Sequence, residues 1–207
     1  MLIDALVLAG GRSSRLGSTP KSELVLLGQS LLERALAAVS DARTIVVVGP
    51  PPSAPLPANT ILAREDPPFG GPAAAIAAGV DALMGHDTTV SRYTIVLACD
   101  MPGIGPAVRT LIDALDAVAG SEGVIAVDDR GHLQPLAAAY DTARLAEVIA
   151  QHRRRGPLDG MSAFQLIREL HLTEVMIPAH ATDDIDTWAD AEKFGIGHPE
   201  ATTKEEK

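Results

Sequence analysis

Residues 6–24 read LVLAGGRSSRLGSTPKSEL, a short apolar run followed by two glycines, three cations and several hydroxyl side chains. Gly10 and Gly11 allow a sharp turn and a close backbone approach to a ligand. Successive amides in such a turn form an anion-binding concavity. Arg12, Arg15 and Lys21 add positive charge, while Ser13, Ser14, Ser18 and Thr19 add hydrogen-bond donors. The chemistry this suits is the holding of a phosphate chain. A flexible surface loop would account for the glycines and serines, but not for three cations within ten residues. Lys21 follows a turn-forming proline, Pro20, from which it could reach back over the phosphates. Two better-known phosphate loops fail the test. A Walker A loop needs lysine directly after its last glycine, whereas Gly17 is followed by Ser-Thr-Pro-Lys. The dinucleotide fingerprint G-x-G-x-x-G does not match GGRSSRLG.

A second candidate is Asp100, in YTIVLACDMPGI, at the end of an apolar run that Pro102 stops. Magnesium takes oxygen ligands, commonly one or two carboxylates plus substrate phosphates, so Asp100 is a candidate metal ligand. The alternative is a cap for the helix that follows, which the intervening MPGIG makes less apt. A second carboxylate could come from TDDIDTW, as Asp184 or Asp186, unless that turn is merely solvated. Cys99, beside Asp100, is expected to pack in the core. Arg153–Arg155 form a further cationic patch that suits either an anion or a helix C-terminus, where the dipole favours cations. His132 is expected to be a solvated loop residue.

The elements that must position these groups alternate. Continuous apolar runs at 5–9, 44–49 and 93–100 read as strands buried on both faces, with a further short strand at 60–63. Residues 30–39 have helical spacing, with Ser30 as N-cap and Glu33 completing a capping box. Residues 50–59 are a proline-rich loop, and Pro72 opens a helix. Helices are expected at 106–119, 142–155, 161–170 and 187–195. Strands are expected at 123–129, 134–140 and 172–178, and the end, 198–207, as a frayed tail. The expected fold is α/β, a three-layer αβα Rossmann-like arrangement with a mostly parallel sheet, in one domain over residues 1–197. Ligands of such sheets sit at the carboxyl ends of the strands, where the glycine loop and Asp100 both fall.

Composition bounds the partners. The 207 residues carry a formal net charge of -10, so a duplex-binding surface is not expected. A local cluster of cations can still hold one small anion. Aromatics make up only 3%, so the core must be built from small aliphatic side chains. A single cysteine excludes an internal disulfide. No basic segment precedes the first apolar run and no run reaches a membrane span, so a cytoplasmic protein with no membrane partner is expected.

The segments LAGGRSSRLGSTPKSEL, DPPFGGPAAAIAAG, ACDMP, QPLAAAY and DIDTWADAE occur in the order found in the MobA-like nucleotidyltransferases, which the chain resembles over nearly its whole length. The resemblance implies the nucleotidyltransferase fold and transfer of a nucleoside monophosphate with release of pyrophosphate. It implies that Leu8, Ala9, Gly10 and Gly11 line the nucleotide, and that Arg15 and Lys21 hold the triphosphate. Asp66 and Gly71 would contact the base or ribose, and Asp100 would bind magnesium, with Asp186 as a further ligand. Gln134, Pro135, Asp184 and Asp186 would face the acceptor. Arg15, Lys21 and Asp100 would be the catalytic set. The Q-P-L-x-A-x-Y segment and LAGG favour the guanylyl branch, which uses GTP and magnesium and passes GMP to a phosphorylated pterin cofactor. Contact with proteins that make or receive that cofactor is a further expectation. A cytidylyl branch, another phosphorylated acceptor, and a carrier that holds the cofactor without transfer are the other readings. The chain departs from the family pattern in carrying Leu16 for methionine, GPAAA for GPLAG, an extra residue before Lys21, GPPP after the second strand, and DIDT for an asparagine-containing turn.

Overall fold

The computed structural model describes residues 1–197 except 12, 18, 87, 88 and 119. The expected tail, 198–207, and the candidate residues Arg12 and Ser18 lie outside the described residues. Seven strands form one sheet: β1 (Ile3–Leu8), β4 (Ile45–Val48), β5 (Thr60–Ala63), β6 (Tyr93–Ala98), β7 (Gly123–Val127), β8 (Leu133–Asp141) and β9 (Thr173–Met176). Their order is β5-β4-β1-β6-β8-β7-β9. Only β8 runs against its neighbours, so the sheet is mostly parallel, as the alternation of elements predicts.

Side chains of a strand alternate between faces, and here both faces are dry. Ala5, Val7, Ile45, Val47, Ile95 and Leu97 enter one apolar core, against α1 (Leu31–Ala38) and α3 (Ile104–Leu115). Leu6, Leu8, Val46, Val48 and Val96 enter a second, against α2 (Pro72–His86), α4 (Thr142–Arg155) and α5 (Ala163–Ile167). That is the reason these strands read as unbroken apolar runs. Asp4 is the exception, a fully buried carboxylate in β1. It is held by both nitrogens of an Arg43 fork at 3.2 Å and by the Ser91 amide at 2.6 Å.

Helix starts follow local chemistry. The Ser30–Glu33 capping box of α1 is present in both directions, 2.7 Å and 3.1 Å. Two further boxes, Ser162–Gln165 for α5 and Thr187–Asp190 for α6 (Trp188–Lys193), were not anticipated. The helix expected over 106–119 spans Ile104–Leu115 instead, so Pro106 lies in its first turn, where its missing N–H costs nothing. The helix expected over 161–170 is only Ala163–Ile167, because the chain tightens into a bond from the Leu170 amide to the Ile167 carbonyl. Sequence reading also passed over a two-stranded ribbon, β2 (Val25–Leu26) and β3 (Gln29–Ser30), and two short 3-10 turns at Ser14–Leu16 and Lys21–Glu23. Among the described residues, no helix is long and apolar enough to cross a membrane.

A third, smaller apolar cluster joins the front of the molecule. Leu16 and Leu24 of the glycine-loop arm pack with Leu31, Ile185, Ala191 and Ile196. The arm that carries Lys21 and the turn that carries Asp184 and Asp186 therefore share one core.

Candidate active site

Strand order reverses around β1: the chain steps to β4 and β5 on one side and to β6 on the other. Such a switch point opens a crevice at the carboxyl ends of the strands. A cleft of about 500 Å³ lies there, lined by Leu8, Gly10 and Gly11 at the end of β1 and by Ala98, Cys99 and Asp100 at the end of β6. Gly71 and Pro72 close one side, at the start of α2, and Gln134 and Pro135 of β8 close another. Ala9 and Gly49 pack tightly at the strand ends. A Cβ on Gly49 would lie 2.8 Å from the Ala9 carbonyl carbon, so only glycine fits there.

Lys21 reaches the centre of this cleft despite the extra residue before it. Pro20 enters at φ -60, and the Ser13 hydroxyl accepts the Lys21 amide hydrogen at 3.3 Å. The ammonium then donates to Asp100 Oδ2 at 2.8 Å and also to Asp186 Oδ1. Burial lowers the pKa of Lys21, but the charges and hydrogen bonds of Asp100 and Asp186 more than offset this and hold it above its ordinary value. Asp100 is not a helix cap, since α3 starts from Gly103. The TDDIDTW turn is tied to it through the backbone, with the Ile185 amide donating to the Asp100 carbonyl at 3.0 Å. As a result one carboxylate oxygen each of Asp100, Asp184 and Asp186 lies within 4.8 Å of the others. Asp184 has its pKa raised, first by loss of water around the carboxyl and then by the charges of Asp100 and Asp186. Three converging oxygen donors suit a hard divalent cation, and the ammonium drawn between two of them marks the spot as one that attracts positive charge.

The remaining sequence candidates are dispersed. Arg15 pairs with Asp186 at 3.5 Å, but its side chain is 71% exposed and lies at the rim. Ala9 lines a smaller adjoining cleft shared with Gly10, Gly11 and Lys21. Asp66 does not line the main cleft. It is exposed and lines a separate cavity beside α2, which its neighbour Glu65 also borders, and of the two Glu65 is the one that reaches the main cleft. Glu65, Phe69 and Met101 are cleft residues that sequence reading missed. For Glu65 the signal in the sequence is an acidic pair shortly after a strand, which does not say which of the two reaches the cleft.

Gln134 owes its place to a register shift between β7 and β8 at Ile125/Ala126. The Tyr140 hydroxyl holds the displaced Pro135 carbonyl at 2.7 Å, and Asp128 accepts the Gln134 amide at 3.0 Å. Cys99 is buried, and burial pushes its thiol far up, so it supplies no nucleophile. Arg153 and Arg155 are engaged with Asp81 and Glu169, away from the cleft.

The sequence model of the MobA-like NTP transferase domain matches residues 5–171. The chain belongs to the MobA-like nucleotidyltransferase family. It is 28% identical over 204 residues to a molybdenum cofactor guanylyltransferase of Desulfosudis oleivorans, covering 98% of this chain and 96% of that one. It is also 28% identical over 210 residues to a 2-C-methyl-D-erythritol 4-phosphate cytidylyltransferase of Thermus thermophilus, covering 97% and 93%. The crystal structure of a molybdopterin-guanine dinucleotide biosynthesis protein A from Archaeoglobus fulgidus superposes with a TM-score of 0.67 at 22% identity, covering 92% of this chain and 96% of that one. The chain is thus an enzyme, a nucleotidyltransferase. Its fold is the family's αβα arrangement.

Proposed function

We propose that this nucleotidyltransferase moves GMP from GTP to the terminal phosphate of molybdopterin, within a single catalytic domain formed by residues 1–197. The observation that carries the reading is the Lys21 ammonium shared between Asp100 and Asp186, directly opposite the glycine loop. A cation facing clustered carboxylates beside a glycine loop suits a metal-bound phosphate chain, and the likeness to the Desulfosudis molybdenum cofactor guanylyltransferase supports GTP and the molybdenum cofactor.

In this reading an oxygen of the acceptor phosphate attacks the α-phosphorus of GTP. One P–O bond forms, the bond to the β-phosphate oxygen breaks, and pyrophosphate leaves with the electron pair. No covalent intermediate with the protein is needed. Leu8, Ala9, Gly10 and Gly11 hold the nucleotide by backbone contact, with Gly71 opposite. Lys21 turns its donors from the carboxylates to the phosphate oxygens, and Arg15 closes from the rim as charge builds on the leaving group. Gln134, Pro135 and the turn bearing Asp184 and Asp186 orient the acceptor. The carboxylates of Asp100 and Asp186, with Asp184 beside them, fit magnesium. When bound there, magnesium supplies charge neutralisation on the phosphate oxygens.

The Thermus relative supports a second reading, cytidylyl transfer from CTP to a different phosphorylated acceptor. The two separate in a pyrophosphate-release assay with each nucleotide, magnesium and molybdopterin. Release with GTP only when molybdopterin is present is the expected result. Release that requires CTP, or that is indifferent to molybdopterin, refutes the guanylyl assignment.

A further inference from the structure

Arg34, on α1, places its guanidinium in an unusual way. Nε and Nη2 both donate to one backbone carbonyl, that of Pro102, each at 3.2 Å. A guanidinium fork more often meets a carboxylate or a phosphate. Pro102 is buried and precedes Gly103, the N-cap of α3, so the helix ladder makes no use of its carbonyl. A buried carbonyl needs a donor, and Arg34 supplies it, two residues beyond Asp100. The far side of the same loop is also held. A Cβ on Gly103 would lie 3.0 Å from the His180 carbonyl oxygen, in the segment that leads into the Asp184–Asp186 turn. At its start α1 is fastened to the lysine arm. The Leu31 amide donates to the Leu24 carbonyl at 2.9 Å, and the Leu24 amide to the Lys21 carbonyl at 3.1 Å. Lys21 and Asp100 are thus joined by two routes. One is the direct bond of 2.8 Å between their side chains. The other runs through Leu24, Leu31, Arg34 and Pro102, none of which lines the cleft.

We infer that Arg34 is a positioning residue for nucleotidyl transfer, setting the spacing between the lysine arm and Asp100. This rests on the reading above, in which Lys21 turns its donors from the carboxylates to the phosphate oxygens. At that moment the direct route opens and the route through Arg34 stays closed. Ile185 also ties Asp100, but its hydrogen bond leads to the acidic turn, and it meets the lysine arm only through apolar contact, which is non-directional. A guanidinium stays charged at every working pH, and its rigid fork leaves the carbonyl little freedom. A charged donor is also roughly twice as strong as a neutral one. Arg34 therefore keeps Asp100 in register with Lys21 while the ligand stands between them.

The test compares wild type, Arg34→Met, Lys21→Met and the double variant, with Arg34→Lys beside them. Two quantities are read: steady-state pyrophosphate release with GTP, magnesium and molybdopterin, and Tm by scanning fluorimetry. Arg34→Met is expected to lower kcat on the order of tenfold with little change in the KM for GTP, because the glycine loop is untouched. Its loss of Tm should be smaller by about 2 °C or more in the Lys21→Met background than in wild type. There Asp100 has already lost the partner that Arg34 places it against. Arg34 bonds to Pro102 and Lys21 to the carboxylates, so a residue that only supports the fold lowers Tm equally in both backgrounds and leaves kcat per folded molecule at the wild-type value. Equal losses of Tm overturn the inference, and so does an unchanged kcat. Arg34→Lys keeps one charged donor for the Pro102 carbonyl and should recover kcat part-way. If Arg34→Met does not fold, Arg34→Lys takes its place in both comparisons. If wild type releases no pyrophosphate from GTP, the proposed function fails, and the comparison of Tm losses still decides the role of Arg34.

Discussion

Replacing Lys21 by methionine removes the ammonium that bridges two of the three clustered carboxylates and keeps most of the side chain's bulk. The oxygens of Asp100, Asp184 and Asp186 lie within 4.8 Å of one another. At that separation two unit charges repel by about 1 kcal/mol in water and about 3 kcal/mol at the effective dielectric of a protein surface. The side chains of Lys21 and Asp100 are only 21% and 20% exposed, while that of Asp186 is 46% exposed. Loss of the ammonium should thus cost more than breaking an exposed pair and less than breaking an interior one, about 2 kcal/mol. For a chain of this size that lowers Tm by about 4–8 °C. The loss should depend on pH in a defined direction. A carboxyl whose pKa is raised by folding destabilises the fold above that pKa, and the penalty is gone below the ordinary value. Asp184 is raised already in the wild type, against the lowering effect of Lys21, and is raised further without it. The gap in Tm between wild type and Lys21→Met should therefore close as pH falls from 7 towards 3.8 and be widest at neutral pH. Lys21 itself stays protonated over that range, since its raised pKa brings loss only above 10.5, so the closing gap reports the carboxyl side of the cluster. Magnesium without nucleotide should restore the variant more than it stabilises wild type, because the ion no longer competes with an ammonium. Scanning fluorimetry across pH, with and without magnesium, checks each point. A gap that does not change with pH, joined to equal magnesium responses, refutes the account of the cluster.

Asp100→Asn should lower magnesium-dependent turnover at least ~100-fold, as expected for loss of a group facing developing charge, while circular dichroism and Tm stay close to wild type. Gly49→Ala forces a Cβ to 2.8 Å from backbone that cannot yield. It should cost about 1–3 kcal/mol in chemical denaturation and weaken GTP binding in titration. Ile185→Ala removes a fully buried side chain from the cluster shared with Leu16 and Leu24. It should cost about 2–5 kcal/mol and lower kcat while circular dichroism still shows the central sheet.

Much of the scaffold was legible because its elements carry their own signals. Strands buried on both faces cannot alternate, so β1, β4 and β6 stand out as plain apolar runs. The Ser30–Glu33 pair marks the start of α1 by chemistry local to four residues. What escaped reading depends on contacts distant in sequence. Nothing near residue 4 announces that Asp4 will be buried under Arg43 and the Ser91 amide, at separations of 39 and 87 positions. The β7–β8 register shift that brings Gln134 to the cleft is likewise a matter between strands. At the site, residue types and their order pointed to Lys21 and Asp100, but the choice between Glu65 and Asp66 turned on the path of the chain after β5, which no local signal fixes.

The DIDT turn shows how a departure from the family pattern can be absorbed by the fold. Asparagines in this position would leave Lys21 with one carboxylate partner, Asp100. Aspartates give it two, and they add Arg15 to the same network through Asp186. Among the described residues, then, two cations face three clustered carboxylates, with Glu65 further along the cleft. On the proposed reading, a triphosphate enters this site with added positive charge, and the cluster of oxygen donors is where that charge would go. The backbone bond from Ile185 to Asp100, and the apolar contact of Ile185 with Leu16, keep this charge arrangement from relaxing. Neither side of the cleft can move its charges without moving the other's. The acidic turn, the lysine arm and the end of β6 are therefore tied into one unit, so that a strongly acidic chain holds its cations in fixed relation to the cleft.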